Sequence, residues 1–478
     1  MDKHTKPEIL GLPKADELRA ALQNSESAEV RDQLAMLFDD ASFVETGAYT
    51  TRGFNDFVST EKANELEGVI TGYGAIDGKL VFAFAEDSTR MGGAIDERHA
   101  KKITDLYALA VKNGAPVIGI FNSNGTDIFQ GTAGLAAYGK IMAAVSEASG
   151  IIPQFAFVAG KCIGIASAIA AMFDFTVKLT GSDLYVSSPA LTGAKNAQDY
   201  LVAFEGDLAQ CLGYIKGLVS FLPMNSDTGV VVDACSDNLN RMLGELDFAG
   251  DANSVISVVS DNGVAYSVGN NFADEVSVAF ASVGGVRCGL VVNSFAKSEG
   301  RITASSARKI SRFVNFCDSF NLPVVTVVDS LGLAIDKDNE IGFFAPELAK
   351  LAQAYCTATV PKVTVINGHA IGASFVLLGS KALGADIVYA TDSSEICALN
   401  AESGVAFAWD KYITLENKRE ALIEEWKANV SSPERAAASG EIDDVISVNE
   451  LRARICSALL MLCCKYQNSL FGRKVLPL

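Results

Sequence analysis

The chain reads as an α/β protein built twice from stacked strand and helix units. Three observations predict this: β-branched apolar strands alternate with amphipathic helices, the pattern recurs at a nearly constant offset, and each copy carries a glycine-bearing turn from strand to helix. The first turn lies in FVAGKCIGIASAIAAMFDF, from Phe157 to Phe175, where Gly160 and Gly164 bracket it. The second lies in VINGHAIGASFVLLGSK from Val365, where Gly368 and Gly372 repeat the spacing. A helix starting just after such a glycine leaves its first N–H groups without intrahelical acceptors, so a carbonyl oxygen gaining negative charge there would be stabilised. One isolated turn of this kind would favour the close-packing reading; a second copy in register points instead to one backbone oxyanion site in each half.

The register is specific. Pro153 and Pro361 align at an offset of 208 (361 minus 153), which superposes both glycine pairs. Upstream, KKITDLYALAVKNGAPVIGIFNSNG from Lys101 matches RKISRFVNFCDSFNLPVVTVVDSLG from Arg308 at 207, with Pro116 on Pro323 and Gly125 on Gly332. One inserted residue separates two long matching segments, which indicates a duplicated domain.

Taken in order, VRDQLAMLFDD has helical periodicity and, with SFVETGAY, covers the first core. GVITGYGAIDGKLVFAFAE predicts a hairpin about Asp77 and Gly78. Its glycines imitate a dinucleotide loop, but no helix follows in the required place. From Asp96 to Lys112, Ile103, Leu106, Tyr107, Ala110 and Val111 recur at helical spacing and stop at Asn113 and Gly114. APVIGIF is a buried strand, NSNGTDIFQG a loop, Ala133 to Ala148 a helix and QFAFVA the strand into the first turn. The pattern lapses between about Leu222 and Ala252, the natural connection between the copies. The second copy then reads as strands SVISVVS and VSVAFASVGGVRCGLVVNS, with Phe280 and Gly285 matching Tyr73 and Gly78. Past the second turn, AWDKYITLENKREALIEEWKANV and ISVNELRARICSALLMLCC read as closing helices.

Composition narrows the function. With 478 residues, 49% of them hydrophobic, the chain can bury two substantial cores. A net charge of -18, from 39 basic and 57 acidic residues, disfavours nucleic acid and anionic membrane as partners. No signal-type apolar core opens the sequence and no uninterrupted apolar run is long enough to span a bilayer, so a soluble cytoplasmic protein is expected. The ten cysteines form no CxxC pair or Cys/His cluster and read as buried reduced thiols; no metal is predicted.

Two tandem domains each ending a strand in a glycine turn resemble the carboxyltransferase component of biotin-dependent acyl-CoA carboxylases and decarboxylases, a tandem crotonase-like fold of stacked ββα units. GYGAIDGKLV, MGGAIDERHAKKI, the turn from Cys162 to Ala166, FLPMN, TVPKVTVI, IGASFVLLGSK and ASGEIDDVI carry the resemblance, in that order. It implies an N-terminal extension at 1–27, a domain at 28–245 that holds acyl-CoA, and a domain at 246–478 that holds biotin carried on another protein. The thioester-side oxyanion position maps onto Gly164 and Ile165, and the biotin-side position onto Gly372 and Ala373. Gly92, Gly93, Gly125, Gly160, Gly332 and Gly368 are marked as substrate-binding, and His99 and Lys102, beside Arg98 and Lys101, as receivers of CoA phosphates or members of a solvated helix face. Backbone donors suit this chemistry, because an enolate and a ureido oxygen must both be stabilised without an ionisable side chain. The implied partners are a biotin carboxyl carrier protein, a biotin carboxylase or membrane sodium-pump subunit, and further copies of the chain in a dimer or trimer of dimers.

The sequence departs from the family at three places. Ile165 stands where a second glycine is usual, NGTDIFQG replaces GGARIQEG from Asn124, and Ser-Leu-Gly replaces Pro-Gly-Phe from Ser330. Rival readings are a serine peptidase using Ser167 or Ser374, a hydratase with paired carboxylates, and a non-catalytic assembly subunit. The first needs a base from His4, His99 or His369, of which His369 is expected to hydrogen-bond within its turn.

Overall fold

A computed structural model describes residues 14, 16–17, 28–52, 65–127, 130–194, 199–243, 251–414 and 418–466. The expected extension at 1–27 lies almost wholly outside them. The chain forms two compact units, one of Met1–Ala148, Gln154–Lys195 and Gly206–Lys216, the other of Ser149–Pro153, Asn196–Glu205 and Gly217–Leu478.

In the first unit α1 (Ala28–Leu37) and β1 (Val44–Thr46) precede the hairpin β2 (Val69–Ile76) and β3 (Lys79–Glu86). There follow α2 (Glu97–Asn113), β4 (Val117–Ser123), α3 (Thr132–Ala148), β5 (Gln154–Ile163), α4 (Ile165–Met172), β6 (Phe175–Leu179) and β7 (Asp183–Tyr185). The strands lie in the order β1-β2-β3-β4-β5-β6, antiparallel as far as β3 and parallel beyond it, with β7 beside the end of β5. Phe84, Phe121 and Phe173 meet edge to face in its core, at centroid distances of 5.5 to 6.4 Å. Gly119 leaves them room, since a Cβ there would lie 2.4 Å from the Phe84 ring. β8 (Val202–Gly206) and α5 (Leu208–Phe221) continue the chain.

The second unit repeats this plan. α6 (Ala252–Val259) and β9 (Ala265–Val268) precede the hairpin β10 (Val276–Val283) and β11 (Val286–Asn293), then α7 (Ala304–Ser319), β12 (Val324–Ser330) and α8 (Phe344–Thr357). β13 (Lys362–Ile371), α9 (Ala373–Leu377), β14 (Ile387–Thr391), β15 (Glu395–Cys397), α10 (Arg419–Asn429), β16 (Asp444–Ile446) and α11 (Leu451–Leu462) complete it. Its sheet runs β9-β10-β11-β12-β13-β14-β16, with β15 beside the end of β13. Pairing confirms the repeat residue by residue: Tyr73 faces Phe82 in one hairpin and Phe280 faces Gly289 in the other, each 207 further on (280 minus 73, 289 minus 82).

SVISVVS, expected as a strand, is helical. Asp251 caps α6 by accepting the N–H groups of Asn253 and Ser254, and Ala252, Val255, Ile256 and Val259 bury one face. That spacing overrides the β-propensity of its valines, since such a preference holds only while a strand partner is available. The correction lengthens the repeat. α6 is the counterpart of α1 at an offset of 222 (261 minus 39), because Asp39 after α1 and Asp261 after α6 do the same work. Asp39 accepts the N–H groups of Asp77 and Gly78 at the first hairpin turn, and Asp261 those of Gly284 and Gly285 at the second. Val44 on Tyr73 and Tyr266 on Phe280 hold that offset, so the first copy gains 15 residues (222 minus 207) between β1 and β2.

Candidate functional site

Each glycine turn forms where a long parallel strand changes neighbours. β5 pairs with β4 and β6 up to Val158, its register with β4 slips, and Lys161, Cys162 and Ile163 then pair with β7. Gly160 sits at the slip because the Asn122 side chain fills the space a Cβ would need, 2.1 Å away. Asn122 Oδ1 accepts the Lys161 N–H there, at 3.2 Å. In the second unit Gly368 is held against the Asp329 carboxyl in the same manner, and Asp329 Oδ1 accepts the His369 N–H at 2.9 Å. Asn122 and Asp329 are repeat equivalents at 207 (329 minus 122) that the sequence reading passed over, although the repeat alignment pairs them.

Gly164 and Gly372 cap α4 and α9 with φ/ψ of 63°/-131° and 60°/-128°, a region closed to side chains bearing a Cβ. Their own N–H groups are spent: Gly164 donates to the Tyr185 carbonyl at 2.9 Å and Gly372 to that of Cys397 at 2.8 Å. The glycines therefore shape the turn but do not supply its donor, which corrects the sequence reading at those two positions. Continuing the ladder onto β7 and β15 is what uses the protons up. The N–H groups of Ile165 and Ala373 open the helices and have no acceptor among the described residues. Nothing lies within 4 Å of a Cβ built on Gly164, and Ile165 is 47% exposed, so the first turn is open.

The other marked glycines brace the turns. Gly92 and Gly93, at φ of 66° and 68°, form a tight turn whose Gly92 carbonyl accepts the Asn124 N–H, while Ile95 donates to Gly125. Glu299, Leu331, Ile302 and Gly332 repeat these two bonds in the second unit. A Cβ on Gly93 would lie 2.5 Å from the Asn122 carbonyl oxygen, and one on Gly332 would lie 3.2 Å from that of Ile371.

His99 and Lys102 are placed otherwise than expected. His99 is fully buried, its ring nitrogens 3.6 Å from Glu67 and 3.9 Å from Glu86. Lys102 donates to the Val69 carbonyl, and its equivalent Lys309 donates to Val276. Burial pushes both ammonium groups down to about 8. One face of α2 turns inward, carrying these polar groups onto the start of β2, so neither presents a charge to a phosphate. Burial also pushes the Glu86 carboxyl up to about 7, while its Oε2 accepts the Asn122 N–H at 2.8 Å.

The rival serines are occupied. Ser167 donates to the Gly164 carbonyl at 2.7 Å, and buried Ser374 donates to the carbonyls of Ser330 and Ile371. His369 Nδ1 is bonded to Asp329 at 2.9 Å instead. All ten cysteines are free, but Cys356 and Cys464 are exposed, against the expectation of buried thiols. Among the described residues no group of side chains could hold a metal ion, and no helix is long and apolar enough to cross a membrane.

Each of the two α/β units opens a helix, above a glycine turn, with an N–H that has no acceptor among the described residues, the donor arrangement that a backbone oxyanion site requires. A family model described as the carboxyl transferase domain matches the chain twice, over residues 25–213 and 202–474, and the chain belongs to that family. The methylmalonyl-CoA decarboxylase subunit alpha of Veillonella parvula is 36% identical over 465 residues, 92% of this chain and 90% of the relative. The mitochondrial propionyl-CoA carboxylase beta chain of Homo sapiens is 34% identical over 464 residues, 91% and 85% of the two chains. A solved transcarboxylase 12S structure, described as a hexamer assembly with methylmalonyl-coenzyme A bound, superposes with a TM-score of 0.88 at 31% identity, covering 95% of this chain and 96% of its own. These likenesses identify the fold as two tandem crotonase-like domains.

Proposed function

We propose that this chain moves a carboxyl group between carrier-bound biotin and an acyl-CoA, using the first turn for the thioester and the second for biotin. The observation that carries this reading is the duplicated turn, in which the Ile165 and Ala373 N–H groups have no acceptor among the described residues. The Ile165 N–H would bind a thioester oxygen more strongly as it becomes an enolate, lowering the barrier without a proton transfer from the protein. Biotin, when bound, supplies a carboxyl group held on a ureido nitrogen. The second turn fits that group, since the Ala373 N–H has no acceptor among the described residues, stands beside a methyl side chain and can hold the ureido oxygen. Relatives named for methylmalonyl-CoA and propionyl-CoA support a short acyl chain.

A biotin carrier and either a biotin carboxylase or a membrane pump subunit would be its partners, and the hexamer named for the solved neighbour supports a homo-oligomer. The test offers purified chain methylmalonyl-CoA and free biotin. Carboxybiotin should form as propionyl-CoA appears; no transfer by folded protein would leave the non-catalytic reading.

A further inference from the structure

The second turn carries a side-chain pair that the mechanism above does not use. His369 stands three residues before Gly372 on β13, and its ring lies flat on Phe295, with centroids 4.8 Å apart and planes 18° apart. Asp329 Oδ1 accepts both the His369 backbone N–H and Nδ1–H, each at 2.9 Å. A carboxylate only accepts, so Nδ1 carries a proton and the ring is held in one orientation. Nε2, on the opposite edge, has no partner among the described residues, and the side chain is about one third exposed, at 35%. In the first copy the equivalent residue, at 208 (369 minus 161), is Lys161, whose Nζ bonds, among the described residues, only the neutral Asn124 Oδ1, at 3.0 Å. Each turn is thus accompanied, at one repeat position, by a side chain able to carry positive charge.

We propose that His369 is a positioning residue of the second turn, its Nε2–H holding the polarised oxygen of biotin or its carboxyl group beside the Ala373 N–H. The inference rests on the assignment of biotin to this turn. Asp329 from β12 faces the ring and draws its pKa up, burial opposes that, Glu395 from β15 adds to the rise, and Lys427 from α10 subtracts from it. Protonated, Nε2 donates to an oxygen; deprotonated, it presents a lone pair to the same oxygen. Engagement of biotin should therefore be strong at low pH and weaken as pH rises through the folded value.

The test measures KM for free biotin and for methylmalonyl-CoA against pH. In the wild type KM for biotin should rise about ten- to a hundredfold across the imidazole titration, the range expected for a lost charge-assisted hydrogen bond, with KM for the CoA ester flat. His369→Gln should show a raised, pH-independent KM for biotin. His369→Lys, which installs the first copy's residue, should restore the low KM and keep it flat. Asp329→Asn should shift the midpoint to lower pH, and ring titration by NMR should show the same shift without turnover. An unchanged biotin profile in His369→Gln, with transfer intact, would overturn this inference alone. Parallel losses in both KM values and in thermal midpoint would also overturn it, in favour of a structural role. A folded wild-type chain that transfers nothing to biotin would sink the underlying reading, and this one with it.

Discussion

Gly164 and Gly372 show why a residue can be indispensable to a site without touching a ligand. Their positive φ sets the turn after which the next N–H is left without an acceptor among the described residues, and a Cβ in that backbone region costs about 1 to 3 kcal/mol of strain. Gly164→Val and Gly372→Val should each lower carboxyl transfer by about a hundred- to a thousandfold, the usual effect of losing one oxyanion donor. Thermal midpoints should move far less than activity. Near wild-type transfer by either folded variant would make that turn a packing feature. Glu86 supports the first turn from beneath through Asn122. Folding raises its pKa from 4.5 to about 7, so the native chain binds the extra proton between those values. Ionising Glu86 therefore costs stability progressively as pH climbs through that window, and the cost is constant above it. Glu86→Gln keeps an oxygen for the Asn122 N–H and removes the titration. Its stability relative to wild type, read from urea midpoints, should increase from acid to neutral pH; a pH-independent difference would contradict the assignment.

The same elements do unequal work in the two copies. Asp39 caps its hairpin turn from a partly exposed position, whereas Asp261 caps the equivalent turn and also pairs with Arg452 of α11, which is completely buried. Asp39→Ala should cost about 1 kcal/mol, as capping losses do. Asp261→Ala should cost about 3 to 5 kcal/mol, because it strips one of two carboxylates from a buried cation and leaves it with Asp237 and the Asn238 and Leu239 carbonyls. Denaturant unfolding of the two variants decides this, and equal losses would mean that the Arg452 pair contributes nothing. At the N-terminus of α4, Ile165→Gly keeps the donor and removes a half-exposed side chain. Bulkier acyl-CoA esters should gain on propionyl-CoA by roughly 1 to 3 kcal/mol in specificity. Unchanged ratios of kcat/KM along an acyl series would show that Ile165 does not border the acyl group.

At the scale of the whole molecule, the proposed function has one turnover call on both turns, and closed assemblies of identical chains would let different chains share that duty. Light scattering should give a multiple of 50.4 kDa. Chains carrying Gly164→Val and chains carrying Gly372→Val, mixed after dissociation, should recover about a quarter of wild-type transfer if half the dimers are mixed and each keeps one intact pair of turns. A mixture as inactive as its parents would show that each chain must supply both turns itself.

Alternation of apolar strands with amphipathic helices, the two glycine turns and the 207 and 208 offsets were all legible in the sequence, because side-chain periodicity and the conformational freedom of glycine are local properties. From these follow the duplication, the α/β class and the positions of Ile165 and Ala373. Tertiary structure alone decided that SVISVVS coils onto a core as α6, that His99 and Lys102 face inward, and that the Gly164 and Gly372 protons are taken by Tyr185 and Cys397. Each of these depends on which distant backbone or side chain arrives opposite the residue. A hydrogen bond is satisfied or left open by a partner that no local spacing records.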